Sequence, residues 1–178
     1  MPPHCDSMDG PVVAAARQAL DEEDVNLILP YVKAGAAADV KLAFDRVVRA
    51  RKAGPAAREV ADLYFYETAV RLHRAGEGAP YTGLKPAGLD VGPVIPVAEK
   101  AFVTGSPEEL IHLLSRVLRQ EVHQRFEHVR HMRGYPPGDV EKAREYVEAR
   151  LGLEVYSHQL YLAMMASPHE GAHGHRHD

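Results

Sequence analysis

The chain has one cysteine and no tryptophan among its 178 residues. A single cysteine cannot form a disulfide within the chain, so nothing here requires an oxidising compartment. No apolar run approaches the roughly 20 residues that a membrane-spanning helix needs. The first residues carry neither the basic nor the apolar part of a secretory signal. These absences argue against a membrane protein and favour a cytoplasmic one.

Neither sign of charge dominates, because the chain has 21 basic and 25 acidic residues and a formal net charge of −4. Without a strongly basic surface, a nucleic-acid partner is not expected. The hydrophobic fraction of 46% and the charged fraction of 26% are typical of globular proteins. The length is enough for one domain with a sizeable core. We therefore expect a single helical domain over residues 1–166.

The apolar pattern is helical almost throughout and shows no strand-like alternation of any length. Glycine and proline divide this apolar pattern into segments. Four of the segments are long enough to form long helices, and the connections between them are short. This pattern predicts an all-α fold, a four-helix bundle with one irregular lobe. The predicted helices cover residues 12–20, 36–52, 55–74, 97–103, 107–132 and 139–166, and 25–29 is a short apolar piece. The apolar positions at helical spacing in the first two helices are Val12, Ala15, Ala16, Ala19, Leu20, Val40, Ala43, Phe44, Val47 and Val48.

The irregular lobe is the segment 76–96, which holds five glycines and four prolines. Loops of this length are usually functional or disordered. Its apolar residues Tyr81, Leu84, Leu89 and Val91 favour an ordered lobe that packs on the bundle. No strand precedes it and no Gly-Lys-Ser/Thr follows, so a phosphate-binding loop is disfavoured. One hypothesis is that this lobe folds over the front of the chain and shields a bound ion.

Potential metal ligands are densest in the front segment, residues 4–10. His4, Cys5 and Asp9 offer an imidazole, a thiolate and a carboxylate, the three common protein ligands of metals. A thiol beside an imidazole is readily deprotonated, which suits metal binding and redox chemistry. The alternative is an inert core cysteine. We predict that these three residues bind one transition-metal ion, with Cys5 as the candidate catalytic residue.

Polar side chains also interrupt the predicted apolar faces of three helices. A buried carboxylate or imidazole needs a partner. Each of them would therefore complete the metal site or form an ion pair within its own helix. The candidate ligands are Glu67, His73, His128 and His158. The alternative pairs are Glu67 with Arg71, Glu121 with Arg125, and Glu154 with His158.

The last residues, 167–178, form a polar tail in which four histidines are concentrated. Such a terminus is predicted to be disordered. Histidine-rich tracts also bind transition metals weakly without a fold. The histidines are His169, His173, His175 and His177.

The string His-Cys-Asp-Ser-Met-Asp-Gly at residues 4–10 resembles the nickel hook that opens mature nickel superoxide dismutase, a four-helix bundle. The resemblance implies that His4 and Cys5 are nickel ligands, Cys5 through its thiolate and backbone nitrogen. Asp9 stands where that family has a second cysteine, and three residues precede His4, whereas the family binds nickel with the free amine of its first histidine.

The whole chain also resembles an uncharacterised bacterial family over most of residues 4–160. Its members share the His-Cys-Asp start followed by Asp-Gly-Pro-Val-Val, here residues 9–13, and a string similar to residues 76–88. This second resemblance brings no known activity.

These observations predict a metal-binding helical bundle, with nickel, copper, iron or zinc as the cofactor. The enzymatic version is an oxidoreductase acting on superoxide or another small oxidant. The alternatives are a non-catalytic metal-binding or storage protein, and a bundle that binds a small ligand and uses the front segment only as a cap. A homo-oligomer is compatible with each of them.

Overall fold

A computed structural model describes residues 3–166. These residues form helices and no strand, which confirms the all-α prediction. They divide into two compact units, one ending at Gly92 and the other beginning at Pro93. A single domain over residues 1–166 and a four-helix bundle both stay predictions. The tail at 167–178 lies outside the described residues.

The first unit contains three α-helices: α1 is Pro11–Asp21, α2 is Ala37–Ala50 and α3 is Pro55–Glu77. Proline opens α1 and α3, where the missing N–H is not needed for a helical hydrogen bond. Short 3₁₀ turns lie before and between these helices, at Pro3–Asp6, Val25–Leu27, Leu29–Tyr31, Ala34–Ala36 and Arg51–Ala53.

The core of this unit is formed by the facing sides of the three helices. The rings of Phe44 on α2 and Phe65 on α3 meet edge to face, with centroids 5.7 Å apart. The apolar faces predicted for α1 and α2 are confirmed, because their spacing follows the helical period and each helix has one apolar side. The buried residues that confirm them are Val12, Ala15, Ala16, Ala19, Leu20, Val40, Ala43, Phe44 and Val47.

The face of α3 differs from the prediction. The predicted apolar row of this helix contains Leu63 and Val70, but only Val70 is buried, and Leu63 is 42% exposed together with Val60 at 69% and Tyr64 at 45%. Glu67, predicted to lie between Leu63 and Val70 on this row, is also exposed. Apolar residues occur on nearly every side of this helix, so periodicity alone could not select the buried side. The core face is made by Ala61, Phe65, Tyr66, Ala69, Val70 and Leu72.

The second unit contains α4 at Val94–Thr104, α5 at Glu108–Met132 and α6 at Val140–Met165. Helix α4 begins three residues earlier than predicted and α3 ends at Glu77, so the irregular segment is 78–93 and not 76–96. None of these three helices has a fully buried residue. Across residues 3–166, no helix has both the length and the apolar character of a membrane span.

Candidate functional site

A buried ion pair fixes the front segment to the end of α3. The Nε atom of Arg74 donates to Oδ1 of Asp6 at 2.7 Å, and the two side chains are only 5% and 6% exposed. A second donor of the same guanidinium, Nη1, reaches Oε2 of Glu77 at 3.0 Å. Arg74 therefore lies between two carboxylates and is held in one orientation.

The charge of Arg74 is stabilised in this position. Burial alone would lower its pKa, but the hydrogen bond and charge of Asp6, with the charges of Glu77 and Cys5, raise it above the usual value. Arg74 thus stays positively charged at any physiological pH.

His4 and Cys5 lie side by side in the first 3₁₀ turn, Pro3–Asp6. The Sγ atom of Cys5 is 4.0 Å from both Nδ1 and Nε2 of His4. Cys5 is half-buried and packs against the hydrophobic core of the first unit. The structure therefore brings two of the three predicted front ligands together.

Asp9 makes different contacts. Its Oδ2 accepts a hydrogen bond from the Gly88 amide at 2.7 Å. Hydrogen bonding by the Ser7 hydroxyl and by the Gly88 amide lowers the pKa of Asp9, so it is a carboxylate at neutral pH. Within residues 3–166, no three His, Cys, Asp or Glu side chains are close enough together to hold a metal ion. Asp9 therefore does not join His4 and Cys5 in a three-residue site here.

The irregular segment 78–93 packs on the front of the chain. The Lys85 amide donates to the Asp6 carbonyl oxygen at 2.8 Å, and the Met8 amide donates to the Lys85 carbonyl oxygen at 3.0 Å. Tyr81 and Leu84 pack against the core, as expected from their apolar character. The lobe thus lies against the front segment, and its shielding of an ion stays a prediction.

Two predicted ligands on α3 lie near this region without joining the pair in the front turn. His73 is half-buried, with Nδ1 2.7 Å from the Tyr31 carbonyl oxygen and Nε2 3.2 Å from Oε1 of Glu77. Through Glu77 and Arg74 it is linked to the front segment. Glu67 is exposed, and its charge acts on Tyr81, whose pKa is raised first by burial and then by that charge.

The other two predicted ligands, His128 and His158, belong to the second unit, and both are exposed. His128 shares a polar groove between α5 and α6 with Glu121, Gln124 and Arg125. Neither histidine is buried, because each of these helices is covered on only part of its surface.

The ion pairs predicted within helices had mixed outcomes. Glu121 pairs with Arg125, as predicted. Glu154 pairs with Arg150 at 3.0 Å, so the predicted pairing with His158 was wrong. Arg150 also lies one turn away from Glu154 and carries a permanent charge.

Sequence reasoning missed Asp6 and Arg74. Two signals were present: Asp6 belongs to the His-Cys-Asp string, and Arg74 lies one turn after Val70, which places a charged residue on the buried side of α3. A buried arginine requires a carboxylate partner. The sequence did not indicate which of the 25 acidic residues provides it.

Comparison with known proteins gives one match. The Family of unknown function (DUF6448) matches residues 9–156, which include α1 to α5 and more than half of α6. His4 and Cys5 lie before the matched residues. No curated protein matches the chain, and no solved structure does. Because the match covers most of the chain, this protein belongs to that family of unknown function.

Proposed function

We propose that this protein binds one transition-metal ion at its front turn, through the Cys5 sulfur and one ring nitrogen of His4. The separation of 4.0 Å between that sulfur and both ring nitrogens carries the proposal. With metal–sulfur and metal–nitrogen bonds of about 2.3 and 2.0 Å, the donors are about 3.5 Å apart at a tetrahedral angle and about 4.3 Å apart in a linear arrangement. The observed separation lies within this range.

The donor chemistry narrows the choice of ion. A thiolate with an imidazole, beside an Asp6 carboxylate that is already paired with Arg74, suits copper(I) or zinc. Nickel and iron, the other two ions named from the sequence, are the alternatives. Among residues 3–166 the site has these two protein donors, so water or a small molecule would complete the coordination.

The contacts around the turn support a preorganised pair of ligands. Asp6, next to Cys5 in the chain, is held by Arg74 at 2.7 Å, and its carbonyl oxygen is held by the Lys85 amide at 2.8 Å. Partners of this kind, one step removed from the ligands, orient metal ligands and raise affinity in other metal sites. We include in the proposal that the segment 78–93 limits access of water to the ion.

Redox turnover of superoxide or another small oxidant is the enzymatic form of this proposal. Sites that leave coordination positions open to small molecules are the ones that support catalysis. Metal binding or storage without turnover is the other form. Both require the same two ligands, so the ligand test comes first and a turnover measurement separates them.

The ligand test must exclude the histidine-rich tail. All proteins therefore carry serine at the four tail histidines, His169, His173, His175 and His177. Each is offered copper(I), zinc, nickel(II) or iron(II), dialysed, and analysed for bound metal by mass spectrometry. We expect about one ion per chain in this background.

Two substitutions and one control then identify the ligands. Loss of an orienting partner already costs about 10–100-fold in affinity, so Cys5→Ser and His4→Gln should each cost at least about 100-fold. His131→Gln, which removes an exposed histidine of α5, should bind normally. Circular dichroism checks that every variant is folded.

The outcomes are distinct. An ion that survives both Cys5→Ser and His4→Gln overturns the proposed site. The absence of any bound ion overturns metal binding and leaves a small-ligand bundle. If metal is bound, rapid loss of superoxide or peroxide above the Cys5→Ser baseline supports the enzyme, and tight binding without turnover supports storage.

A further inference from the structure

One row of residues on α5 changes from apolar to polar along the helix. Its members are separated by alternating steps of four and three residues, which keeps them on one side of the helix. They are residues 110, 114, 117, 121, 124 and 128. The first three are leucine or valine, and the last three are Glu121, Gln124 and His128. These three line the groove between α5 and α6, together with Arg125.

The groove is large enough for a small molecule. Its volume is about 570 Å³, and sites for small molecules typically measure about 300–1,000 Å³. Helix α6 lines the groove with Ala149, Gly152 and Leu153. Helix α5 thus contributes polar side chains and α6 contributes small and apolar residues, so the groove offers both hydrogen bonds and apolar contact.

The guanidinium of Arg125 is held from two sides. Its carbon Cζ lies 3.9 Å from the centre of the Tyr156 ring, which belongs to α6. Its Nη1 atom donates to the backbone carbonyl oxygen of Glu121 at 3.1 Å and also to Oε2 of the same residue. Contacts with both helices therefore fix the position of this group.

Arg125 also has donors that the chain does not use. Its Nε and Nη2 atoms have no hydrogen-bond partner among residues 3–166, because its hydrogen bonds there come from Nη1. These two nitrogens carry three N–H bonds and form one edge of the planar guanidinium. Such an edge binds a carboxylate through two parallel hydrogen bonds.

Gly152 leaves space on the α6 side of the groove. It lies in the middle of α6, where glycine weakens a helix relative to alanine. A Cβ atom at this position would meet no atom within 4 Å, so no packing contact requires a glycine here. The missing side chain is instead explained by the groove, because it leaves room for a bound molecule.

The balance of donors and acceptors indicates what that molecule is. Gln124, Arg125 and His128 all carry side-chain N–H groups, and the one acidic residue that lines the groove, Glu121, is already paired with Arg125. The groove therefore favours a ligand with acceptor oxygens. Because Glu121 already places one negative charge beside Arg125, a single carboxylate suits the site better than a doubly charged phosphate.

We propose that the groove between α5 and α6 binds a small organic carboxylate. The ligand's oxygens accept hydrogen bonds from Nε and Nη2 of Arg125, and its apolar body lies over Gly152 and Leu153. Arg125 then lies between two carboxylates, as Arg74 does in the first unit. The site does not depend on metal binding at the front turn.

Titration of the full chain with hexanoate tests the ligand class. Hexanamide, which has the same chain without the negative charge, and inorganic phosphate are the comparison probes, and the amide signal of Gly152 is followed by NMR. Hexanoate should shift this signal saturably and bind at least about 10-fold more tightly than hexanamide, because hydrogen bonds to a charged group are stronger. No saturable shift with hexanoate, or binding of hexanamide or phosphate that is as tight, would overturn the proposal.

A pair of arginine variants tests the contact with the carboxylate. Arg125→Gln removes the guanidinium and should weaken hexanoate binding at least about 10-fold. The control is Arg116→Gln, because Arg116 is exposed and lies nine residues earlier, on the opposite side of α5. This control should bind hexanoate as the unmodified protein does. Equal binding by the two variants, with both folded by circular dichroism, would overturn the proposal.

A second pair tests the space at Gly152. Gly152→Leu introduces a good helix former that fills the groove, so the protein should stay folded and bind hexanoate at least about 10-fold more weakly. Gln159→Leu adds the same side chain two turns further along the same side of α6, outside the groove, and should bind normally.

Gly152→Ala separates the groove from packing of the helix. It should raise the Tm by about 2–4 °C, because alanine stabilises the middle of a helix relative to glycine. A lower Tm for Gly152→Ala would show that packing requires the glycine. That result, or unweakened hexanoate binding by folded Gly152→Leu, would overturn the proposal.

Discussion

The guanidinium of Arg74 lies 2.7 Å from the carboxylate of Asp6, although 68 residues separate them in the chain. This contact joins the end of α3 to the turn that carries His4 and Cys5. The position of that turn is therefore set by a long-range ion pair as well as by local hydrogen bonds. Both partners are almost fully buried, so removing one leaves an unpaired charge in the interior.

Arg74→Ala is expected to lower the free energy of unfolding by about 3–5 kcal/mol, because it leaves Asp6 buried without its counter-ion. Urea denaturation followed by circular dichroism measures this loss. The matched control is Arg130→Ala, which breaks the exposed pair with Glu127 and should cost about 0–1 kcal/mol. Equal losses in the two variants would contradict a structural role for the buried pair.

Gly10 has space for no side chain. A Cβ atom there would overlap the carbonyl oxygen of His4, because the chain folds back at this point and the Gly10 amide donates to the Ser7 carbonyl oxygen at 2.9 Å. Gly10→Ala should therefore lower the free energy of unfolding by about 1–3 kcal/mol.

Thermal unfolding compares Gly10→Ala with Gly35→Ala. A Cβ at Gly35 meets no atom within 4 Å, so that control should be neutral or stabilising by about 0.4–1 kcal/mol. If Gly10→Ala were as stable as this control, the close approach of the backbone to His4 would not exist in solution.

The contact between Asp9 and Gly88 should depend on pH. The Ser7 hydroxyl and the Gly88 amide lower the pKa of Asp9 below its ordinary value of 3.8. A carboxyl with a lowered folded-state pKa contributes stability above its unfolded pKa and loses it as pH falls through the folded value. The contact is therefore intact at neutral pH and weakens below pH 3.8.

The Gly88 amide proton reports this contact directly by NMR. The single Ser7 hydroxyl proton also has the His4 carbonyl oxygen at 2.9 Å, so the Gly88 amide is the better probe. Its chemical shift should titrate with a midpoint below 3.8, and Asp9→Asn should abolish the titration. A midpoint at or above 3.8 in the unmodified protein would contradict the prediction.

Local pattern was sufficient for the helices that have one apolar side. Val40, Ala43, Phe44 and Val47 are buried as their spacing predicts, because the helical period alone places them on one face. The same reasoning could not select the buried side of α3, where apolar residues surround the helix and Val60 is exposed. There the buried side depends on where α1 and α2 lie.

For the candidate site, too, local sequence predicted one part and could not predict another. His4 and Cys5 are neighbours in the chain, so the sequence could predict that an imidazole and a thiol lie together. It could not exclude Asp9 from that pair, because the Asp9 carboxylate is engaged by Gly88, 79 residues later in the chain.

The sequence by itself determined the helical class, the breaks at glycine and proline, and the neighbouring imidazole and thiol of the front turn, since each depends on residues a few positions apart. Only the tertiary structure decided that Arg74 is buried against Asp6 and that Lys85 pairs with the front segment. Such contacts depend on the path of the whole chain, because a buried charge or an open backbone amide finds its partner wherever packing brings one.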